Sequence, residues 1–230
     1  MPRTAEGAEV RLETGGPADL HALGSVAYAT AFFGEPADRF FPAPELFAEF
    51  WAGPYLTHGH TVVARAGDRI VGYCLGVDRP GDYLLGLLRR LPGLLIAVAR
   101  GRHGGWTRAA AFGLRALRHR RPGAPAARFP AHLHLALLPQ ARGEGLGRRL
   151  LEDYLARARA RGVPGLQLAT TDRHTAAVQL YRATGFETYR AAATGLWRPW
   201  VDGEVQALVM VLDLTDRAPP AATPPAAAAG

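Results

Sequence analysis

Residues 131–150 read AHLHLALLPQARGEGLGRRL, and the fold is decided here. The first eight, largely apolar and ended by Pro139, predict a strand over 131–138. A glycine-rich turn, Arg142-Gly-Glu-Gly-Leu-Gly147, leads into a helix over 147–161 with Leu150, Leu151, Tyr154, Leu155 and Ala158 on one face. Gly162 and Pro164 stop that helix, and 166–170 reads as a buried strand. Strand, helix, strand in this order is a βαβ unit, which makes the two strands parallel neighbours. The turn is an anion site in physical terms. Its glycines expose successive N–H groups at a helix N-terminus, where the dipole favours negative charge. No Lys follows, which removes the P-loop reading, and the spacing is not that of a dinucleotide fold.

Working outward, 8–14 predicts a first strand, 17–33 a helix, and 44–52 a shorter helix opened by Pro44. Residues 61–66 and 69–78 predict a hairpin around Gly67-Asp68. Beyond the βαβ unit lie a helix over 175–184, closed by Gly185, and strands over 186–191 and 206–214. The expectation is one domain over 1–215, its α/β sheet mixed but mostly antiparallel. A disordered Ala/Pro tail is expected over 216–230.

Composition narrows the classes. All 27 basic Lys+Arg positions are Arg, Asn is absent and Ser occurs once, a skew of the kind a G+C-rich coding sequence produces. A hydrophobic fraction of 48% excludes wholesale disorder, and the single Cys74 excludes an internal disulfide framework. Cys74 lies mid-strand and reads as a core residue. The N-terminus lacks a signal-peptide core, and the most apolar stretch, 83–99, is broken by Arg89-Arg90 and Pro92. A soluble, cytoplasmic protein is the expectation. The net charge of +7 is unevenly spread. Residues 79–130 hold eleven Arg and one acid, a net of +10, while the remainder carries −3.

Arg142-x-x-Gly145-x-Gly147, between an apolar strand and a Leu-rich helix, resembles the acetyl-CoA pyrophosphate loop of the GNAT acyltransferase superfamily. Downstream, His174-x-x-Ala177-x-x-Leu180-Tyr181-x-x-x-Gly185-Phe186 resembles that family's second signature. The resemblance covers residues 1–78 and 131–215 and implies an acetyl-CoA-dependent N-acetyltransferase acting on a primary amine of a small molecule or peptide. It implies that the backbone of Arg142, Gly143, Glu144, Gly145, Leu146 and Gly147, with Arg148, holds the CoA pyrophosphate. By the same resemblance Leu137 faces the thioester carbonyl where two strands splay, and Tyr181 protonates the departing thiolate. A phenol of pKa about 10 suits that donation. His174 stands where the family usually has Asn, a pantetheine contact, and imidazole can still make one such hydrogen bond.

The base is less defined. His132 and His134 lie two apart on one strand and share a face. They resemble the His-x-His of arylalkylamine N-acetyltransferases, where histidines relay a proton. The same run also resembles acetyltransferase-like domains beside some glycoside hydrolases, so a catalytically silent acyl-CoA-binding or interaction module is the alternative. No metal site is expected, because the histidines lack an acidic or cysteine partner at ligand spacing.

Nine of the twenty aromatics fall in 28–55, with Trp197 and Trp200 expected opposite them and Glu35, Asp38, Glu45 and Glu49 nearby. An apolar pocket with acidic rims suits a bulky cationic amine. The basic segment 79–130 predicts three helices, 82–91, 94–102 and 106–120, with Pro92 dividing the first two. It suits a lid, a homodimer contact, or contact with nucleic acid or an anionic membrane.

Overall fold

The computed structural model describes residues 9–101 and 105–215. The expectation for 216–230 lies outside them. In chain order the elements are β1 (Val10–Thr14), α1 (Leu20–Thr30), α2 (Pro44–Trp51), α3 (Tyr55–His58), β2 (His60–Ala66) and β3 (Arg69–Val77). Then come α4 (Pro80–Ala99), α5 (Trp106–Arg118), β4 (Ala131–Leu137), α6 (Leu146–Ala160), β5 (Gly165–Thr171), α7 (Thr175–Ala183), β6 (Glu187–Thr194) and β7 (Val205–Asp213).

The seven strands form one sheet in the order β1-β2-β3-β4-β5-β7-β6. Every neighbouring pair is antiparallel except β4 and β5, the pair joined by the crossover helix α6. β4 runs beside β3 from His132↔Val77 to Leu137↔Gly72, yet it pairs with β5 only at Ala131↔Leu166 and His132↔Gln167. Beyond His132 the two parallel strands part. β7 lies between β5 and β6, so the last hairpin folds back to cover the flank of β5.

Each face of the sheet carries its own apolar layer. On one face α6 buries Leu146, Leu150, Leu151, Tyr154, Leu155 and Ala158, and α7 adds Val178 and Tyr181 against Cys74, Leu133 and Met210. The helical stripe read from the sequence is the buried stripe. On the other face α1 to α3 pack Leu23, Val26, Phe47 and Tyr55 against Tyr73, Leu75 and Ala136.

The segment 79–130 departs from expectation. Pro92 does not divide it: α4 runs unbroken from Pro80 to Ala99 with the proline inside. Proline removes one N–H, and the carbonyl it leaves unpaired is that of Leu88, a residue on the exposed side where water can satisfy it. The inner side holds the helix in place. Leu94 is buried, and Gly86 sits so close to Pro54 that a Cβ would meet its carbonyl oxygen at 2.5 Å.

Candidate active site

The turn after β4 is built by two glycines in the left-handed region, Gly143 at φ 92° and Gly145 at φ 70°. A Cβ at either would meet nothing within 4 Å, so the space in front of the loop is open. Gly145 is the N-cap of α6, leaving the amides of Leu146, Gly147 and Arg148 without intrahelical acceptors. Gly147 lets this helix end approach the strand, since a Cβ there would lie 2.9 Å from Leu137 and 3.3 Å from Leu180. The result is a row of N–H groups at a helix N-terminus behind the exposed turn 142–145, an arrangement suited to an anion such as a pyrophosphate. Arg148 stands exposed on the same turn.

Leu137 faces the opening between β4 and β5. Leu138 donates its amide to Val71 of β3 at 2.9 Å, so by alternation the Leu137 N–H and C=O point to the opposite edge, from which β5 has diverged. The Leu137 carbonyl accepts from Arg142 Nε at 3.1 Å, while Arg142 Nη2 donates to the Gly34 carbonyl at 2.9 Å. Arg142 thereby ties the cradle to the loop between α1 and α2.

Tyr181 is 5% exposed, against Phe186, and its hydroxyl has no hydrogen-bond partner among the described residues. Burial, and secondarily the nearby Cys74, push its pKa well up, so the phenol keeps its proton. His174 caps α7, with Nδ1 3.4 Å from Thr170 Oγ1 and its ring edge-on to Phe33. Its buried Nε2 has no hydrogen-bond partner among the described residues. Desolvation, then the positive charge of Arg142, lower its pKa.

His132 and His134 share the α1–α3 face of β4 but have different surroundings. His134 Nδ1 lies 3.1 Å from Tyr73 Oη and accepts from Trp51 Nε1 at 3.4 Å. Indole N–H only donates, so Nδ1 is the acceptor and the ring proton sits on Nε2. Burial, then His174 and His132, lower its pKa to about 4, which keeps it neutral at pH 7. His132 Nε2 is 3.1 Å from Tyr55 Oη, beneath the ring of Tyr83 from α4, and burial lowers its pKa too. The partners Tyr55, Tyr73, Trp51 and Tyr83 come from four elements. Sequence reasoning grouped Tyr55 and Trp51 with the acceptor aromatics and had no signal for Tyr73 or Tyr83. Tyr181 belongs to the opposite apolar layer from the histidines, although its field reaches Tyr73.

The aromatics of the α1–α2 region meet those of the β6–β7 connection. Phe32, Phe33 and Phe40 pack on Trp197, and Phe112 of α5 joins Phe40, Trp197 and Trp200. The basic segment is therefore part of this wall. Arg90 of α4 pairs with Glu49, which neutralises one of the acids expected to rim the pocket.

A parallel strand pair that parts beside a glycine-built helix N-terminus is an anion-binding arrangement, and it is the one the resemblance to acyl-CoA-dependent transferases implies. The chain belongs to the acetyltransferase (GNAT) family, which it matches over residues 29–186; acetyl-CoA is the co-substrate of that class. It is 33% identical over 82 residues to the [ribosomal protein bS18]-alanine N-acetyltransferase of Escherichia coli K12. The matched stretch is 36% of this chain and 54% of that protein, so the chain spans about half the length of the curated relatives it matches. Among solved structures, SsHAT aligns with a TM-score of 0.59 at 23% identity, over 89% of this chain and 98% of its own. The Salmonella typhimurium protein yncA, solved with its cofactor acetyl-CoA, aligns with a TM-score of 0.56 at 14% identity, over 94% and 100%. These two likenesses concern the fold. Among the described residues no helix is long and apolar enough to cross a membrane.

Proposed function

We propose that the protein transfers an acetyl group from acetyl-CoA to the primary amine of a small molecule or peptide by direct attack. The observation that carries this reading is the parting of β5 from β4 after His132, beside the helix N-terminus at Leu146 to Arg148 and the open turn of Gly143 and Gly145. Residues Arg142 to Arg148 hold the pyrophosphate, and His174 Nε2, buried and unpartnered, supplies the pantetheine contact. Bound acetyl-CoA supplies an activated acyl thioester. The Leu137 amide faces the opening and donates to its carbonyl oxygen as charge develops there. Tyr181, kept protonated by burial, gives its proton to the departing sulfur.

The incoming amine must shed a proton. Of the strand pair, His132, with Nε2 3.1 Å from Tyr55 Oη and no indole donor on its ring, is the one we assign to take it. His134, whose Nδ1 already accepts from Trp51, serves as a neutral group that positions the surrounding side chains. The aromatic wall of Phe33, Phe40 and Trp197 suits an amine with an apolar body. The name of the E. coli relative, an alanine N-acetyltransferase of a ribosomal protein, favours a peptide amine.

An acetyl-CoA thiol-release screen across amines, amino acids and peptides tests this. A hydrophobic amine or peptide should release thiol, and Tyr181→Phe should lower kcat by about 10²–10⁴-fold with acetyl-CoA affinity unchanged. Acetyl-CoA binding without release from any amine would make the protein a silent acyl-CoA-binding module.

A further inference from the structure

We infer that the outer faces of α4 and α5 form a docking surface for an anionic lipid bilayer, on which both helices lie without crossing it. Eight of the nine large hydrophobic side chains that stand exposed among the described residues belong to these two helices, Tyr189 being the other. They are not scattered. At about 100° per residue, Leu84, Leu85, Leu88, Pro92, Leu95, Ile96 and Ala99 fall on one arc of roughly 120°, and all are exposed. Leu84 is 56% and Leu95 67% exposed. On α5 the same construction gives Trp106, Ala110, Leu114 and Leu117 as an exposed apolar stripe. The opposite sides of both helices are occupied by the domain, through Tyr83, Gly86 and Leu94 on α4 and Ala109 and Phe112 on α5.

Charge selects the occupant. Arg89 and Arg100 border the arc on α4, and Arg118 borders the stripe on α5. Arg79, Arg100, Arg108, Arg118 and Arg120 are exposed with no carboxylate partner among the described residues, and Asp82 is the one acid of the segment. Leucine and tryptophan flanked by arginine is the composition of helices that rest in a headgroup layer, the apolar side entering it and the guanidinium groups meeting lipid phosphates. A second copy fits this surface poorly, because a two-fold interface would set arginine against arginine with one acid to pair them. Nucleic acid would meet the arginines but leave the leucine arc wet.

Vesicle flotation with the full chain tests the inference. Phosphatidylcholine vesicles containing about one-third phosphatidylglycerol should carry at least about tenfold more protein than phosphatidylcholine alone. Leu88→Glu with Leu95→Glu should lower that binding about tenfold with an unchanged Tm, and Arg100→Glu with Arg118→Glu should lower the anionic preference. Equal partition to both vesicle types, or full binding by the leucine variant, would overturn it. So would sedimentation as a dimer that the leucine variant dissociates, or tighter binding to a single-stranded RNA oligonucleotide than to the anionic vesicles.

Discussion

Helices α6 and α4 are both long and rich in leucine, and they use those leucines in opposite ways. α6 confines its apolar residues to one stripe with Arg and Glu elsewhere, and the stripe is sealed against the sheet. α4 is apolar nearly all round, buries a narrow inner side and leaves the rest in the open. The difference shows what each helix is for. α6 is a structural crossover whose N-terminus presents amides, whereas α4 is a cover whose inner residues reach the histidine side of β4. Leucine count alone would not separate them; the arrangement of polar residues around the helix does.

The comparison can be broken most sharply by truncation. Leu150→Ala should destabilise the fold by about 2–5 kcal/mol, whereas Leu95→Ala should stay within about 0.5 kcal/mol, both read by urea denaturation. Equal losses would mean that α4 is a core helix like α6. Next comes pH. The folded state holds His134 neutral down to about pH 4, whereas the unfolded chain protonates it near pH 6.5. The unfolded state then binds more protons between these values, so stability falls as pH drops through this window, by up to about 3 kcal/mol. His134→Phe should flatten that part of the profile, and an unchanged slope would remove His134 as its source. The smallest effect sharpens the cradle end of α6. Gly145→Ala forces a Cβ into the left-handed region at about 1–2 kcal/mol, and acetyl-CoA affinity measured by calorimetry should fall roughly tenfold.

The βαβ unit, the glycine turn that opens α6 and the stripe of α6 were legible because each rests on local pattern, from residues within a few turns of one another. The strand order was not, since nothing local to 205–213 says that this strand inserts beside β5. Pro92 misled because a helix held by tertiary contacts tolerates a proline whose freed carbonyl faces water. For the histidines, the shared strand face was readable from spacing two. Their protonation was not, because burial beneath distant elements sets it, and the tautomer of His134 is fixed by Trp51, 83 residues away. The aromatic cluster was half visible: its members could be counted, but the part played by Phe112 depends on how the basic segment folds back.

A chain without lysine has one further property. Arg142 binds the carbonyls of Leu137 and Gly34, Arg115 those of Leu196 and Gly195, and Arg173 those of Asp202 and Glu204. In Arg142 and Arg115 two nitrogens of one planar fork pin two backbone oxygens at once, which a single ammonium on a flexible stem does not do with the same geometry, whereas in Arg173 the one nitrogen Nη2 reaches both oxygens. Replacing Arg142 and Arg115 by lysine would preserve both charges and still loosen two loop attachments, so in this protein the most conservative-looking exchange is a structural one.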